Sequence, residues 1–111
     1  LNGGAGSDEV FVSLNQDLNL TLTNNSLTGE GTDTLISIER ANLGGSPGAN
    51  ALNASAFTGP VQLSGNGGRD TLTGGSGNDT LRGFDAEEVD VLSGGKGNDF
   101  YEVDGRDTVI E

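Results

Sequence analysis

The sequence contains no cysteine and no histidine, and these two absences exclude several classes of site. Without cysteine, the 111-residue chain has no disulfide framework, no thiolate metal site and no cysteine nucleophile. Without histidine, it lacks the most common general base and the most common zinc ligand. No apolar run approaches the ~20 residues that a membrane-spanning helix needs, so we expect no membrane span.

Basic residues are also scarce. Only 5 Lys and Arg stand against 17 Asp and Glu, which gives a formal net charge of −12. This balance argues against nucleic acid as a partner, because proteins neutralise the phosphate backbone with Lys and Arg. The chain begins at Leu1 and shows no signal peptide, so we expect it to be a segment of a longer protein.

Large apolar residues are too few for a conventional globular core. Leu, Ile, Val and Phe together account for 27 of the 111 residues. The 20 glycines add to the entropy that is lost on folding. Three interpretations fit this composition: a disordered linker, a repeat array, or a fold that requires a bound cation.

An internal repeat decides among these interpretations. The motif is Gly-Gly-x-Gly-x-Asp-x-apolar, and it occurs in full at residues 3–10, 74–81 and 94–101. A fourth copy at residues 65–72 differs only by an asparagine at its second position, and weaker copies occur at residues 29–35 and 48–52. So many copies in so short a chain indicate a repeat protein.

The motif resembles the RTX, or hemolysin-type, calcium-binding nonapeptide repeat, which is a signature of calcium-binding parallel β-helices. The resemblance is strongest over residues 65–102, partial over residues 29–64, and present again over residues 1–12. It implies an all-β fold, namely a right-handed parallel β-roll or β-solenoid with two short strands per coil and calcium ions in the turns. We expect one continuous domain, with irregular coils over residues 1–64 and calcium-binding coils over residues 65–111.

The residue types of the motif suit calcium chemistry. Calcium takes roughly 6–8 oxygen ligands from carboxylates and backbone carbonyls. Glycine permits backbone conformations that turn carbonyls toward an ion, and aspartate adds an anionic oxygen. We predict calcium ligands among Gly65, Gly67, Asp70, Gly74, Gly75, Ser76, Gly77, Asp79, Asp90, Gly94, Gly95, Lys96, Gly97 and Asp99. Further candidates are Asp8, Asp33, Asn50, Asp85, Glu88 and Asp107.

The resemblance also implies that loops one coil apart share an ion. This pairs Asp79 with Asp99, Asp70 with Asp90, and Asp90 with Asp107, at separations of 20, 20 and 17 residues. An ideal pair of nonapeptides would give a separation of about 18 residues.

The loop over residues 83–90 departs from the repeat. It is two residues too long, and Glu88 stands where the third glycine of the motif belongs. Two interpretations stay open for this loop. Either it bulges into solvent, or Asp85, Glu87 or Glu88 binds calcium through its side chain.

The N-terminal half shows strand patterns without full calcium loops. Alternation at Leu18, Leu20 and Leu22 predicts a half-buried strand, and residues 34–38 form another strand candidate. Apolar residues within 41–43, 51–53 and 61–63 continue the rhythm at about ten residues per strand, and no segment predicts a helix. Asp17 lies outside any repeat.

Phe100 and Tyr101 follow directly on the last full calcium motif. We interpret them as one ring on the strand surface and one in the core. A binding platform is the alternative.

The resemblance implies a calcium-binding module of a secreted, extracellular bacterial protein, exported by a type I secretion system and holding several calcium ions. Because the core is small and the acids repel one another, we expect the module to fold on calcium binding. An enzyme is disfavoured, since a slim solenoid offers no water-excluding pocket for a catalytic acid. The alternative is an adhesive or carbohydrate-contacting stalk module of a cell-surface protein. Its partner would be a polysaccharide, or another copy of the chain bound through the solenoid ends.

Overall fold

Short strands with alternating buried and exposed side chains make up the regular structure of the chain. A computed structural model describes residues 1–83, 85 and 87–111; Phe84 and Ala86, which belong to the 83–90 loop, lie outside the described residues. Over these ranges all regular elements are strands, so none of the described segments forms a helix that could cross a membrane.

The strands are named in chain order. They are β1 (Glu9–Ser13), β2 (Leu20–Thr23), β3 (Ser26–Thr28), β4 (Thr32–Thr34), β5 (Arg40–Gly44), β6 (Ala51–Ala56), β7 (Val61–Ser64), β8 (Thr71–Thr73), β9 (Thr80–Arg82), β10 (Val91–Ser93), β11 (Phe100–Glu102) and β12 (Thr108–Ile110). The first sheet has the order β1-β5-β7-β9-β11, and the second has the order β12-β10-β8-β6-β2-β3-β4.

The chain passes from one sheet to the other after nearly every strand, and strands one coil apart pair in parallel. All neighbours in the first sheet are parallel, as are β2, β6, β8, β10 and β12 in the second. This arrangement confirms the all-β, parallel β-solenoid with two short strands per coil. The exception is a local excursion that the sequence did not reveal, in which β3 and β4 extend the second sheet with antiparallel pairing.

The core is a thin layer of mostly leucine side chains between the two sheets. In the first sheet Leu43, Leu63 and Leu81 stand in register on neighbouring strands, and all three are fully buried. In the second sheet Leu52, Leu72 and Leu92 form the matching column, also fully buried. The shortest dimension of the molecule is 17 Å, which leaves room for two sheets and one layer of side chains.

The strand predictions for the N-terminal half are confirmed except at two places. Leu20 and Leu22 are buried in β2, and the segments 41–43, 51–53 and 61–63 lie in β5, β6 and β7. Leu18, which the alternation predicts in the same strand as Leu20 and Leu22, lies in the corner before β2. The strand expected over residues 34–38 is wrong beyond Thr34, where β4 ends. Ser37 has a φ of 55°, which is incompatible with an extended strand, and Ile36 makes only an isolated bridge to Asn2.

The single-layer core makes each central leucine important for stability. Leu81→Ala should lower the free energy of unfolding by about 2–5 kcal/mol, because the thin layer has no second shell that could fill the cavity. Ile36→Ala is the control, since Ile36 is 53% exposed, and it should change stability by less than about 0.5 kcal/mol. Urea denaturation in saturating calcium measures both values; equal losses would contradict the assigned core.

Candidate metal centre

The corners between strands stack along two edges of the solenoid. The first edge consists of the corners that lead from the first sheet to the second, at residues 14–19, 45–50, 65–70, 83–90 and 103–107. The second edge includes the return corners at residues 57–60, 74–79 and 94–99. The full motifs at residues 74–81 and 94–101 therefore begin in consecutive corners of the second edge, and the near-complete motif at residues 65–72 begins in a corner of the first edge. The full motif at residues 3–10 begins before β1.

A ladder of side chains runs along the first edge. Asp70 Oδ1 accepts a hydrogen bond from the Asn50 backbone N–H at 2.7 Å, and Asp90 Oδ1 accepts one from the Asp70 N–H at 2.7 Å. Asp107 Oδ1 accepts the Asp90 N–H at 3.0 Å in the same way. Each acid thus supports the backbone of the preceding coil, and the structure brings together both pairs expected on this edge.

A shorter ladder runs along the second edge. Asp79 Oδ1 accepts the Val61 N–H at 2.9 Å, and Asp99 Oδ1 accepts the Asp79 N–H at 2.9 Å. Asp79 Oδ2 accepts a further hydrogen bond from the Gly75 N–H within its own corner, at 2.8 Å. The structure therefore places Asp79 and Asp99 on neighbouring coils, as the repeat spacing predicted.

The two ladders differ in how well their buried carboxylates are satisfied. Asp70 is 1% exposed and Asp90 is 0% exposed, and the Oδ2 atom of each has no hydrogen-bond partner among the residues that the structure describes. Both oxygens of the equally buried Asp79 accept hydrogen bonds. A buried, unpartnered carboxylate oxygen is costly, so the first edge lacks a partner that a cation would supply.

Burial raises the pKa values of these acids. The pKa of Asp70 rises from its ordinary 3.8 to about 7, mainly because burial disfavours the charged form. The Asn50 N–H opposes this rise, and the negative charges of Asp90 and Asp85 add to it. Burial is also the main cause that raises the pKa values of Asp79 and Asp90. A divalent cation beside these groups would favour their ionised forms.

Glycine is required where the corner closes on its own acid. The first glycine of a motif packs against the carboxylate five residues later, as Gly65 does against Asp70 and Gly74 against Asp79. A Cβ at either glycine would collide with carboxylate atoms. Gly94 and Asp99 repeat this contact on the last coil. In these three corners the motif spacing therefore places a carboxylate directly against the first glycine of the motif.

The remaining motif residues stack coil upon coil. The Lys96 N–H donates to the Gly75 carbonyl at 3.1 Å, and Gly97 lies directly over Gly77. The Ser76 N–H donates to the Phe57 carbonyl at 3.3 Å. On the first edge Gly67 lies over Pro47. Successive corners are thus close enough for backbone oxygens of two coils to face the same space.

The 83–90 loop keeps its acid in the ladder despite its extra length. Asp90 occupies the ladder position, and Glu87 and Glu88 are exposed. Asp85 is partly buried, and its Oδ1 accepts the Glu88 N–H at 3.2 Å. The charge of Asp85 raises the pKa values of both Asp70 and Asp90, so its side chain belongs to the same group of acids as the first-edge ladder.

Two of the predicted acids lie away from the ladders. Asp33 is exposed on β4, in the antiparallel excursion. Asp8 lies in the corner before β1, two residues ahead of the ladder position, which Val10 occupies in this coil. Its N–H donates to Glu39 Oε2 at 2.8 Å, and none of the described residues provides a hydrogen-bond partner for its buried Oδ2.

The structure adds a residue that motif reasoning missed. Asp17 belongs to the first-edge corner 14–19, and its Oδ1 accepts the Ser46 Oγ hydrogen bond at 2.6 Å. The Ser46 N–H in turn donates to Asn50 Oδ1 at 2.7 Å. The charge of Asp17 contributes to the raised pKa of Asp70. No motif surrounds Asp17, so only the spacing of β1 and β2 could have placed it in a corner.

The acids are spread along the ladders rather than gathered in one cluster. Over residues 1–83, 85 and 87–111, no group of three or more carboxylates has the arrangement of a metal site. A calcium ion held here would therefore take most of its oxygens from the backbone carbonyls of the glycine corners, with one or two carboxylates. The donor set is all oxygen, which fits calcium.

Comparison with known families agrees with this geometry. The family model described as RTX calcium-binding nonapeptide repeat (4 copies) matches residues 62–86 and 87–105. These matches cover about two fifths of the chain and include the central part of both ladders. A comparison with curated proteins gives no match.

Alanine substitutions at two glycines distinguish the cost of a positive φ from the cost of a steric clash between stacked corners. Gly4 and Gly95 have φ values of +83° and +88°, but a Cβ would meet nothing at Gly4 and would collide with the Gly75 carbonyl at Gly95. Gly4→Ala should cost about 1–2 kcal/mol of stability from φ alone. Gly95→Ala should cost clearly more. The measurement is urea denaturation in saturating calcium, and equal costs would mean that the corners do not stack closely.

In the absence of calcium, low pH should stabilise the folded chain, because protonation neutralises the buried aspartates. Because the folded-state pKa values of Asp70, Asp79 and Asp90 are raised, the folded chain binds more protons than the unfolded chain from pH ~4 to ~7. This stabilisation is complete below pH ~4 and is lost as the pH rises through about 7. In calcium-free buffer, circular dichroism should therefore show more β structure at pH 5 than at pH 8. The opposite order would contradict the buried ladder.

Proposed function

We propose that this chain, which carries RTX calcium-binding nonapeptide repeats over residues 62–105, is a calcium-binding β-roll module of a secreted bacterial protein and that it folds on calcium binding after export. The observation that carries the proposal is the pair of buried carboxylate oxygens, Asp70 Oδ2 and Asp90 Oδ2, for which the described part of the chain offers no hydrogen-bond partner. They lie within the matched repeats and require a positive partner when they are ionised.

The proposed ligands follow the two ladders. On the first edge they are Asp70, Asp90 and Asp107, with backbone carbonyls of the 65–70 corner and the partly buried Asp85 beside them. On the second edge they are Asp79 and Asp99, with carbonyls of residues 74–77 and 94–97. Bound calcium would supply positive charge that stabilises the ionised carboxylates and bridges neighbouring corners.

Folding and binding are coupled because the rest of the chain contributes little stability. The hydrophobic core is one leucine layer, the net charge is −12, and the 20 glycines raise the entropic cost of order. The free energy of ion binding is then available as folding free energy. Extracellular calcium modules work at dissociation constants of roughly 10⁻⁴–10⁻³ M, so such a module would stay unfolded in a cytosol of low calcium.

The proposed extracellular location and export route are inferred from the repeat family. RTX repeats typically occur in secreted bacterial proteins, and the matched repeats are the support for an extracellular site of action. Export by type I secretion is proposed on the same ground. We assign the chain no catalytic role, since its RTX repeats are structural calcium-binding units.

The sharpest test is an aspartate-to-asparagine series at the first edge. Asp70→Asn removes a buried charge and keeps an oxygen for the Asn50 N–H, so the calcium-free variant should show more β structure than the unmodified chain at pH 7.5. Its gain of β signal on adding millimolar calcium should be smaller. Circular dichroism and calorimetric calcium titration measure the two effects.

Asp33→Asn is the matched control, because it removes the same charge from an exposed strand outside the ladders. It should leave both the calcium-free signal and the calcium response nearly unchanged. Asp17 does not serve as a control, since it lies in a first-edge corner. If the circular dichroism spectrum of the unmodified chain changes neither on adding calcium nor on adding EGTA, folding on binding is refuted. If Asp70→Asn and Asp33→Asn have the same calcium-free β signal and the same calcium response, the first-edge site is refuted.

A further inference from the structure

One outward-facing column of the first sheet has an unusual composition. The strand register aligns Phe11, Asn42, Gln62, Thr80 and Phe100 across all five strands. Phe11 is 68% exposed and Phe100 is 61% exposed, so both terminal rings face solvent. With strands about 4.8 Å apart, the rings stand about 19 Å from one another. Amide and hydroxyl groups fill the interval between them.

Shallow depressions flank this column on both sides. One, of about 170 Å³, is lined by Arg40, Gln62, Asn78 and Thr80 among others. The other, of about 200 Å³, is lined by Ser64, Asn66, Arg82 and Glu102. The face is therefore a strip of hydrogen-bonding groups with an open recess on each side.

The face is neutral on a strongly acidic chain. Glu9 stands in register with Arg40, and Arg82 Nε lies 2.7 Å from Glu102 Oε2. These two arginines balance the two glutamates, whereas the whole chain carries a net charge of −12. The face thus offers no net attraction to a polycation, and the rest of the molecule repels a polyanion.

The second sheet shows that this composition is not a general property of the solenoid. Its corresponding outward column, one residue before the inward leucines, consists of Ala51, Thr71, Val91 and Thr108. The column one residue after those leucines consists of Thr21, Asn53, Thr73, Ser93 and Ile110. Neither column contains an aromatic ring. Exposed aromatic side chains with a polar surround are typical of recognition surfaces, because a rigid ring contributes large contact area at low entropic cost.

We propose that the outward face of the first sheet binds a neutral, linear polysaccharide along the Phe11–Phe100 column. The two rings would pack against the C–H faces of sugar rings, and Asn42, Gln62 and Thr80 would exchange hydrogen bonds with sugar hydroxyls. A linear polymer matches a linear, in-register strip. Neutrality of the ligand matches the charge balance of the face.

The test uses the full chain in saturating calcium and an array of neutral glucans, mannans, xylans and galactans, with polygalacturonate as the anionic arm. At least one neutral polymer should bind. Phe11→Ala and Phe100→Ala should each weaken binding by up to about tenfold, and the double variant should weaken it further. Ile110→Ala on the second sheet is the matched control and should bind unchanged, since Ile110 is also exposed.

Circular dichroism in calcium checks that each variant is folded. We expect both to fold, because the two rings are largely exposed and their removal leaves the core intact. A folded chain that binds no neutral polymer, or only polygalacturonate, would overturn this proposal and leave the calcium function intact. Binding that Phe11→Ala and Phe100→Ala do not weaken would overturn it as well. Self-association through this face, seen as a dimer that Phe100→Ala disrupts, would identify a second copy as the occupant instead.

Discussion

The structure depends on carboxylates buried at the corners of a thin solenoid. Each ladder aspartate directs one oxygen to the backbone of the preceding coil, so the acids connect neighbouring coils as the leucines do. The same burial makes the charged form costly and raises the pKa values of Asp70, Asp79 and Asp90. In its ionised form each of these groups therefore costs folding free energy, and a cation or a proton that compensates its charge would remove that cost.

The glycine corners and the leucine layer are consequences of this arrangement. Two sheets separated by one layer of side chains require very tight corners, and a carboxylate that covers each corner leaves no room for a Cβ beside it. The leucines fill the narrow interior, and ordering so glycine-rich a sequence carries a high entropic cost. The calcium sites are proposed at the edges, so the flat outer faces remain available for contacts with a partner.

The N-terminal coils show that a repeat motif does not by itself place its acid in a ladder. The first full motif, over residues 3–10, has the correct residues, yet its acid lies outside the ladder because the strand that follows is shifted by two positions. Asn50 and Asp17, which carry weak motifs or none, lie in the first-edge stack of corners. Membership of a ladder is decided by strand register, and a local motif specifies only the shape of its own corner.

The sequence by itself determined the all-β solenoid, the leucine columns and the spacing of the paired acids, because a short repeat fixes strand, corner and inward position in every unit. It also located the corners that close over Asp70, Asp79 and Asp99. Only the tertiary structure decided which carboxylate oxygens lack a partner, where the β3–β4 excursion interrupts the coils, and that Phe11 and Phe100 share one column. The partners of the buried carboxylates and the Phe11–Phe100 column depend on contacts between neighbouring coils, which an insertion elsewhere in a coil shifts without changing any motif. The β3–β4 excursion is local, but no repeat motif marks its antiparallel pairing.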